Sequence, residues 1–499
     1  MKNFKYFAVL LATVCASATL SAQQVSTLYF MKNLPARGDY NPAFQPTHNI
    51  WVDLPLAFRL SAGSNSLGFN DIFLLENGKT ITFLHPGANP DKFYKSLNKN
   101  TRIYSDFTIG ILGFGFRKDK HYFSFNLSEK ISMGVYLPKD LFKFALYGTG
   151  DNYQDNFNWK RIGVNASVYT EFAFGYSRVI GDKLTVGGKL KFLMGQLNVN
   201  TNFKKLNLNA GIDEWNLDAK GALNISIPWF NMPKTQDNTI DFENFKFKDM
   251  FNFDDMSKKA ILKNVFAPNC GLGFDLGANY KLLPNLQLSA AVTDLGFIRW
   301  TNNSNKISVN GNYLIDGIVE NTDDGFKLKD FLGEFTEAFE LGCSNKAYAT
   351  ALNARVNIGA EYSLWKDRFG VGLLWTSQFA NKTMFQNLTL SANLRPVNWF
   401  STTVCYSFLH GQAQTIGFGI QLLASPFNMY IALDNIPLSF AKTKESKMVI
   451  PTNSGINLQM GWCLVFGNPD KIAEKKQRKI EKQQRKDEAT APRHDEKNL

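Results

Sequence analysis

Apolar and polar residues alternate strictly along several stretches of the chain, which is the pattern of a β-strand with two different faces. After Tyr122 the apolar positions are Phe123, Phe125, Leu127, Ile131, Met133, Val135 and Leu137, and the positions between them are mostly polar. The same period governs residues 162–175 and 388–395. Glu129 interrupts the first apolar set, which indicates either a bulge or the end of the lipid-embedded part of that strand.

Short and long connections between the predicted strands alternate along the chain. The short turns fall at residues 117–120, 181–183, 281–285, 365–368, 395–398 and 425–428. The longer connections fall at residues 62–104, 138–160, 200–268, 301–347, 381–386, 410–414 and 435–453. Outer-membrane barrels pair short periplasmic turns with long extracellular loops. Six turns alternating with seven loops therefore predict an all-β, 14-stranded antiparallel transmembrane β-barrel with both chain ends in the periplasm.

This parity holds only if the strand-like pieces 219–227 and 306–315 belong to extracellular protrusions and not to the barrel wall. A soluble β-sandwich would show the same alternation, because the pattern does not say whether protein or lipid covers the apolar face. Aromatic residues near the strand ends favour a membrane barrel, since such residues form girdles at the membrane interfaces. They are Tyr176, Trp300, Tyr362, Trp365, Trp399, Tyr430 and Trp462.

The N-terminus has the organisation of a secretory signal peptide. Lys2 and Lys5 precede an apolar run that ends at Cys15, and small residues follow up to Ala22. This run is far shorter than the roughly 20 residues of a transmembrane helix. We therefore expect residues 1–22 to direct export. No later stretch approaches the length of a membrane-spanning helix, so the aromatic content of 14% favours a barrel in the lipid of the cell outer membrane.

The rest of the chain divides into three parts. Residues 23–49 are predicted to form a periplasmic or plug segment, residues 50–467 the barrel, and residues 468–499 a basic, polar periplasmic tail. The tail contributes to the net charge of +12. Its low apolar content excludes a packed domain, so it is either a solvated segment or a docking element for an envelope protein partner. Export makes nucleic acid an unexpected partner.

The chain carries no recognisable catalytic or metal-binding motif. Its five histidines are scattered, with no HExxH or closely spaced pair. The four cysteines after the signal, Cys270, Cys343, Cys405 and Cys463, fit neither a metal knuckle nor a compact disulfide framework. The Gly-rich runs 110–115 and 271–277 lie in alternating strands, where glycine permits bends and close packing. We therefore predict no enzyme activity, no metal and no cofactor.

Several motifs resemble those of DUF5723, an uncharacterised barrel family widespread in Bacteroidetes. They lie at residues 28–31, 41–46, 66–71, 175–188 and 292–297. That family is similar to the fatty-acid-transporter barrels and to the PorV-type component of type IX secretion, which have fourteen strands and an Asn-Pro-Ala element. The resemblance implies that Asn41, Pro42 and Ala43 lie in a plug, although Asn-Pro also favours a plain turn by itself.

Two functions remain open on this evidence. The first is a channel or transporter for small molecules, including hydrophobic ones, with the cargo in the lumen. The predicted lumen sets are polar or small, for example Gln287, Ser289, Ala291 and Thr293, or Ser401, Thr403, Cys405 and Ser407. Phe245, Phe247, Phe251 and Phe253 form a candidate hydrophobic cluster that either binds apolar cargo or packs a loop on the rim. The second function is an envelope binding or assembly platform, such as a PorV-like secretion-associated barrel.

Overall fold

The computed structural model describes residues 26–55, 57–67, 73–76, 79–82, 85, 88–148, 155–211, 214–230, 232–233, 269–316, 340–380, 383–409, 413–436, 440–442, 449–451 and 455–467. Helices in this part of the chain are Thr27–Phe30, the 3-10 helix Pro35–Asp39, Pro90–Ser96 and Lys139–Tyr147. None of the described helices is long and apolar enough to cross a membrane.

Strands account for most of the described residues. In chain order they are β1 Ile50–Asp53, β2 Ala57–Ser64, β3 Phe73–Glu76, β4 Lys79–Thr82, β5 Asn100–Lys118, β6 His121–Pro138, β7 Asp155–Asn158, β8 Gly163–Ile180, β9 Leu184–Ala210, β10 Glu214–Ser226, β11 Asn269–Leu283, β12 Leu286–Trp300, β13 Ser304–Asp316, β14 Glu340–Ser344, β15 Tyr348–Ala351, β16 Arg355–Leu364, β17 Phe369–Ala380, β18 Thr383–Val397, β19 Phe400–Leu409, β20 Ala413–Ala424, β21 Phe427–Ile436, β22 Phe440–Lys442, β23 Val449–Pro451 and β24 Gly455–Phe466.

Fourteen antiparallel strand positions close into a barrel. β1 and β2 share one position, because both pair with β5 and with β24. β15 and β16 share another, because both pair with β12. The remaining positions are β5, β6, β8, β9, β11, β12, β17, β18, β19, β20, β21 and β24. Pairing of β24 with β1 and β2 closes the sheet, so the predicted 14-stranded barrel is confirmed.

The two ends of the barrel differ. The short turns gather at one end, called here the short-turn end, where Ile50 and Phe466 also pair. At the opposite, long-loop end, β9 runs on beyond the wall and pairs with β10, which pairs with β13, which pairs with β14. This protruding sheet contains the predicted pieces 219–227 and 306–315. They therefore lie outside the wall, as the parity of turns and loops required.

The two faces of the wall carry different side chains. Large apolar residues such as Phe174, Leu276 and Ile358 point away from the lumen and are 50%, 65% and 51% exposed. Neighbouring lumen-facing positions such as Ser177 and Asn357 are polar and buried. An apolar outer surface around a polar interior is the arrangement of a transmembrane barrel and not of a β-sandwich, whose apolar faces meet inside.

Two residues predicted for the interfacial girdle lie inside the barrel instead. Trp300 is completely buried beside Ile298, and its indole N–H donates to Thr350 Oγ1 at 2.8 Å. The cause is a bulge, because the β11–β12 register shifts between Phe274 and Leu276. Beyond that bulge the even-numbered residues of β12 turn inward. Tyr430 faces the lumen and packs against the buried N-terminal cluster.

The bulge expected near Glu129 lies in the neighbouring strand. The register of β6 against β8 is continuous at Glu129, whereas β5 shifts against β6 between Gly110 and Leu112. Glu129 keeps the outward phase of Leu127 and Ile131, and its carboxylate accepts a hydrogen bond from Thr170 Oγ1 at 2.8 Å. A polar group therefore sits on the outer surface, with apolar residues on both sides of it.

Candidate functional site

Residues 26–49, called here the lumenal segment, lie inside the barrel in its short-turn half. Their apolar side chains pack on one another and on the wall, and Leu28, Tyr29, Phe30, Met31 and Leu34 are each at most 2% exposed. Burying one such side chain contributes about 1.5–3 kcal/mol. The hydrophobic effect therefore holds the lumenal segment in place by roughly 10 kcal/mol in all.

The predicted motif at residues 41–43 is both a turn and a wall contact. The Asn41 side-chain oxygen accepts a hydrogen bond from the Ala43 N–H at 2.9 Å, which makes a local turn. The Asn41 side-chain amide also donates to the carbonyls of Ala278 and Ala290, at 3.1 and 3.3 Å. The turn therefore directs the amide at the backbone of β11 and β12.

Glycines on the lumen face of the wall receive the side chains of the lumenal segment. A Cβ atom at Gly372 would collide with the ring of Phe30, and a Cβ atom at Gly359 would lie 2.7 Å from the ring of Tyr29. Gly187 receives the backbone carbonyl of Pro42, Gly277 receives the side chain of Asn41, and Gly417 and Gly419 receive the side chains of Thr27 and Met31. The wall thus carries glycine where the lumenal segment approaches it most closely.

Polar contacts fix the lumenal segment at several heights. The Thr27 hydroxyl donates to Asp434 Oδ1 at 2.7 Å, and both groups are buried. At the short-turn end, Lys32 forms ion pairs with Asp367 at 2.7 Å and with Glu361 at 3.4 Å. Burial alone would raise the pKa of Asp367, but Lys32 and Arg395 hold that pKa below its ordinary value. Asp367 is therefore ionised at neutral pH.

Asp39 links the lumenal segment to two cations of the wall. Its carboxylate lies 2.8 Å from Lys189 Nζ and 3.3 Å from an Arg59 guanidinium nitrogen. Burial alone would raise the pKa of Asp39, but the attraction of Lys189 and Arg59 holds the pKa well below its usual range. Asp39 is thus a charged anchor at neutral pH, even though its side chain is 44% exposed.

A layer of buried charges lies beyond the lumenal segment, toward the long-loop end. Lys191 pairs with Asp294 at 2.7 Å and with Asp275 at 2.8 Å, and Lys130 pairs with Glu171 at 2.7 Å. Asp294 reaches this layer because it occupies the β12 bulge with a φ of +57°, a conformation that Asp adopts more readily than most residues. We call these five residues the charged layer.

Two contacts cross the lumen above the charged layer. The Asn353 side-chain amide donates to Ser132 Oγ at 3.3 Å, and the Arg102 guanidinium lies against the ring of Phe385. In each case the partners come from strands that are not neighbours in the wall. Asn353 reaches inward because residues 352–354 leave the wall between β15 and β16.

A cavity of about 610 Å³ lies at the long-loop end of the lumen. Asn165, Asn200 and Asn202 line one side of it. The other side is largely apolar and includes Leu295, Leu352, Phe379 and Met384. Its volume lies within the roughly 300–1,000 Å³ range of small-molecule sites. The cavity therefore has the size and the mixed polarity that a small amphipathic molecule requires.

The predicted phenylalanine cluster, Phe245, Phe247, Phe251 and Phe253, lies outside the described residues, as do the signal residues 1–22 and the tail 468–499. Within the described ranges, no group of His, Cys, Asp and Glu is arranged to hold a metal ion. Cys405 is buried beside the lumenal segment. The apolar lining of the cavity within the described residues comes from the strand residues Leu295, Phe379 and Met384 and from Leu352.

The charged layer and the glycine sockets were not predicted as a site. A signal for the charged layer exists in the sequence, because Lys130, Glu171 and Lys191 occupy the lumen phase of their alternating strands. The sockets offer a weaker signal. Glycines occur at lumen and membrane phases alike, and only the position of the lumenal segment shows which of them receive a side chain.

Comparison with known proteins gives one family. The model of DUF5723, a family of unknown function, matches residues 42–434. No curated protein sequence matches the chain.

Solved barrels resemble the fold only distantly. The toluene transporter TbuX of Ralstonia pickettii is 10% identical, over 90% of this chain and 97% of that one, with a TM-score of 0.39. A FadL homologue of Pseudomonas aeruginosa is 11% identical, over 90% and 100%, with a TM-score of 0.40. The toluene transporter TodX of P. putida is 10% identical, over 90% and 96%, with a TM-score of 0.36. Likeness at this level does not bear on cargo.

Proposed function

Because the chain belongs to the DUF5723 family, which has no defined function, we propose its function from its own geometry: a gated channel for small molecules in the cell outer membrane. The short-turn end faces the periplasm and the long-loop end faces the exterior, as is usual for such barrels. The lumenal segment acts as the plug.

The observation that carries this proposal is the lumenal cavity of about 610 Å³. It lies at the long-loop end of the barrel, on the side of the charged layer opposite the lumenal segment, and its lining combines lumen-facing residues such as Asn165 with the outward-facing Leu295 and Phe379. A structural scaffold does not need a ligand-sized cavity at this position, whereas a channel needs a site that its cargo occupies during passage. The mixed lining favours a cargo with an apolar part that packs on Leu352 and Phe379 and a polar part that meets Asn165.

The barrel is closed at rest in this proposal. Removing the lumenal segment from its sockets exposes five large apolar side chains, at a cost of roughly 10 kcal/mol. Spontaneous opening is therefore rare, and passage requires an event that displaces the lumenal segment. Such an event has to break the ion pairs that Asp39 of the lumenal segment forms with Lys189 and Arg59 on the wall.

The proposal is tested by conductance in planar lipid bilayers. We expect the mature protein to conduct poorly and a variant lacking residues 26–46 to form open, ion-conducting pores. A Trp365→Ala variant, altered at a 72% exposed turn residue, should behave as the unaltered protein does. Heat-modifiable gel mobility and circular dichroism verify that each variant is folded. A folded deletion variant with no more conductance than the mature protein would overturn the channel.

A further inference from the structure

The protruding sheet has one apolar face and one polar face. Its apolar face carries Val199, Leu223, Ile225 and Ile307, which pack in one cluster. Its polar face carries rows of aligned residues across three strands. In one row Asn200, Asn224 and Lys306 lie side by side, because Asn224 pairs with both of the others. Adjacent strands are about 4.8 Å apart, so such a row spans roughly 10 Å.

A second cavity of about 540 Å³ lies on this polar face. Four lysines line it, Lys204, Lys220, Lys306 and Lys346, together with four asparagines, Asn200, Asn202, Asn224 and Asn310. We call this cavity the basic vestibule. It shares Asn200, Asn202 and Ala349 with the lumenal cavity, so the two spaces adjoin. The basic vestibule therefore lies next to the lumen and not on the lipid-facing surface.

Among the described residues, no carboxylate neutralises the charges of the basic vestibule. No acidic residue is among its described lining residues. Within the described part of the chain, none of the four lysines forms an ion pair with a carboxylate. By contrast, Lys205 on the same strand as Lys204 is paired with Asp218. Four uncompensated ammonium groups around one cavity create a positive potential that attracts anions.

An independent observation comes from the amide of Asn224. Asn224 is 8% exposed and lines the basic vestibule, and its side-chain oxygen has no hydrogen-bond partner among the described residues. A buried acceptor without a donor is costly unless a ligand or water supplies one. Ammonium groups donate to anions, and amide oxygens accept from hydroxyl groups. The lysines and asparagine amides of the cavity together suit a ligand that carries both an anion and hydroxyl donors.

We propose that the basic vestibule binds a soluble acidic oligosaccharide, with its carboxylates at the lysines and its hydroxyl groups at the asparagine amides. A sugar acid combines both chemistries in one molecule, whereas a simple organic anion lacks the row of hydroxyl groups that Asn200 and Asn224 match. The lumen-side position favours a soluble ligand over the headgroup of a membrane lipid. The proposal goes beyond the channel function and does not require conduction.

Isothermal titration calorimetry on the folded protein in detergent tests this binding. The probes are trigalacturonic acid, neutral maltotriose and citrate, and we expect only trigalacturonic acid to bind. Replacing Lys204, Lys220, Lys306 and Lys346 with Gln should weaken that binding at least about a hundredfold, since charge-assisted hydrogen bonds are the stronger polar contacts. Asn224→Leu should weaken it about tenfold, because it leaves the hydroxyl groups unpaired.

The matched control replaces Lys118, Lys120, Lys183 and Lys281 with Gln. These lysines lie exposed at the short-turn end, so the net charge changes equally while the basic vestibule stays intact. The proposal would be overturned if the control variant lost as much binding as the vestibule variant, or if citrate bound as tightly as trigalacturonic acid. Either result would show that binding depends on overall positive charge and not on this site. Absence of trigalacturonic acid binding would overturn it as well. A non-conducting protein that still binds would refute only the channel.

Discussion

The guanidinium of Arg102 on β5 lies 4.9 Å from the centroid of the Phe385 ring on β18. β5 pairs with β1, β2 and β6, and β18 pairs with β17 and β19, so this contact spans the lumen. Arg102 and Phe385 are 2% and 4% exposed. Tyr104 and Tyr136 flank the same guanidinium. Desolvated cation–π contacts of this kind contribute about 2 kcal/mol or more.

The barrel therefore has two closures in series. The lumenal segment closes the short-turn half, and the contact between Arg102 and Phe385 narrows the long-loop half. The two closures share no residue, and the charged layer lies between them. In a series arrangement the narrower closure sets the conductance. If only one closure is removed, the other closure should therefore limit the measured conductance.

We expect Arg102→Ala to raise conductance only when the lumenal segment is absent. In the variant lacking residues 26–46, the substitution removes the guanidinium that reaches across the lumen to Phe385, so single-channel conductance should increase about twofold or more because the constriction is wider. In the full chain the lumenal segment still closes the barrel. Phe174→Ala, on the outward face, is the control. An equal increase in the full chain would show that the lumenal segment does not close the lumen.

We expect Gly372→Val to expel Phe30 from its socket. The added side chain occupies the space of the ring, so docking should weaken by about 3–5 kcal/mol, comparable to deleting a buried phenylalanine. Protease cleavage within the lumenal segment measures this release. Gly273→Ala is the control, because its added Cβ meets side-chain atoms at 3.4 Å. Adding Phe30→Ala to Gly372→Val should restore part of the docking, and no coupling between the two would contradict the socket.

Strand number and wall topology could be predicted from the sequence because they depend on local patterns. Alternation assigns each side chain to a face, and turn length assigns each connection to an end of the barrel. The count of fourteen strands required the pieces 219–227 and 306–315 to lie outside the wall. The prediction needed no contact between distant residues. It rested on the two-residue alternation within each strand and on the alternation of short turns with long loops along the chain.

Contacts across the lumen could not be predicted in the same way. Arg102 and Phe385 fall in the predicted connections 62–104 and 381–386, so alternation assigned neither side chain to a face, and it does not say which inward residues meet. The β12 bulge had a similar effect, because one extra residue at Asp294 reversed the faces of the positions after it and turned Trp300 inward. Bulges leave little trace in an alternating pattern, so the place of Asp294 in the charged layer could not be predicted.

We expect Asp39 to stabilise docking above about pH 4 and to lose this effect below it. Its pKa is held beneath the ordinary value of about 3.9, so the ionised form favours the docked state and protonation removes that preference as pH falls. Asp39→Asn should release the lumenal segment more readily than the unaltered protein does, by a constant margin from about pH 8 to 5. Protease cleavage at each pH measures the margin. If the difference between the two proteins grew as the pH fell, the ionised form of Asp39 would not be the one that favours docking.

We expect removal of Glu129 and of Glu171 to change stability in opposite directions. Glu129 faces outward, where a carboxylate among apolar side chains is unfavourable in lipid, so Glu129→Leu should raise the free energy of unfolding by about 1 kcal/mol. Glu171 faces the lumen and pairs with Lys130 at 2.7 Å. Because Glu171→Leu leaves buried Lys130 with a weaker set of partners, it should lower the free energy of unfolding by about 3 kcal/mol.

Urea unfolding in phospholipid vesicles measures both changes on one scale. Glu129→Gln is the conservative control, since an amide can still accept the hydrogen bond from Thr170. The sign of each change depends on which side of the wall the carboxylate occupies, so the pair tests the register of β6 and β8 directly. Marked destabilisation by Glu129→Leu would mean that the outer face at this height meets a polar surface and not lipid.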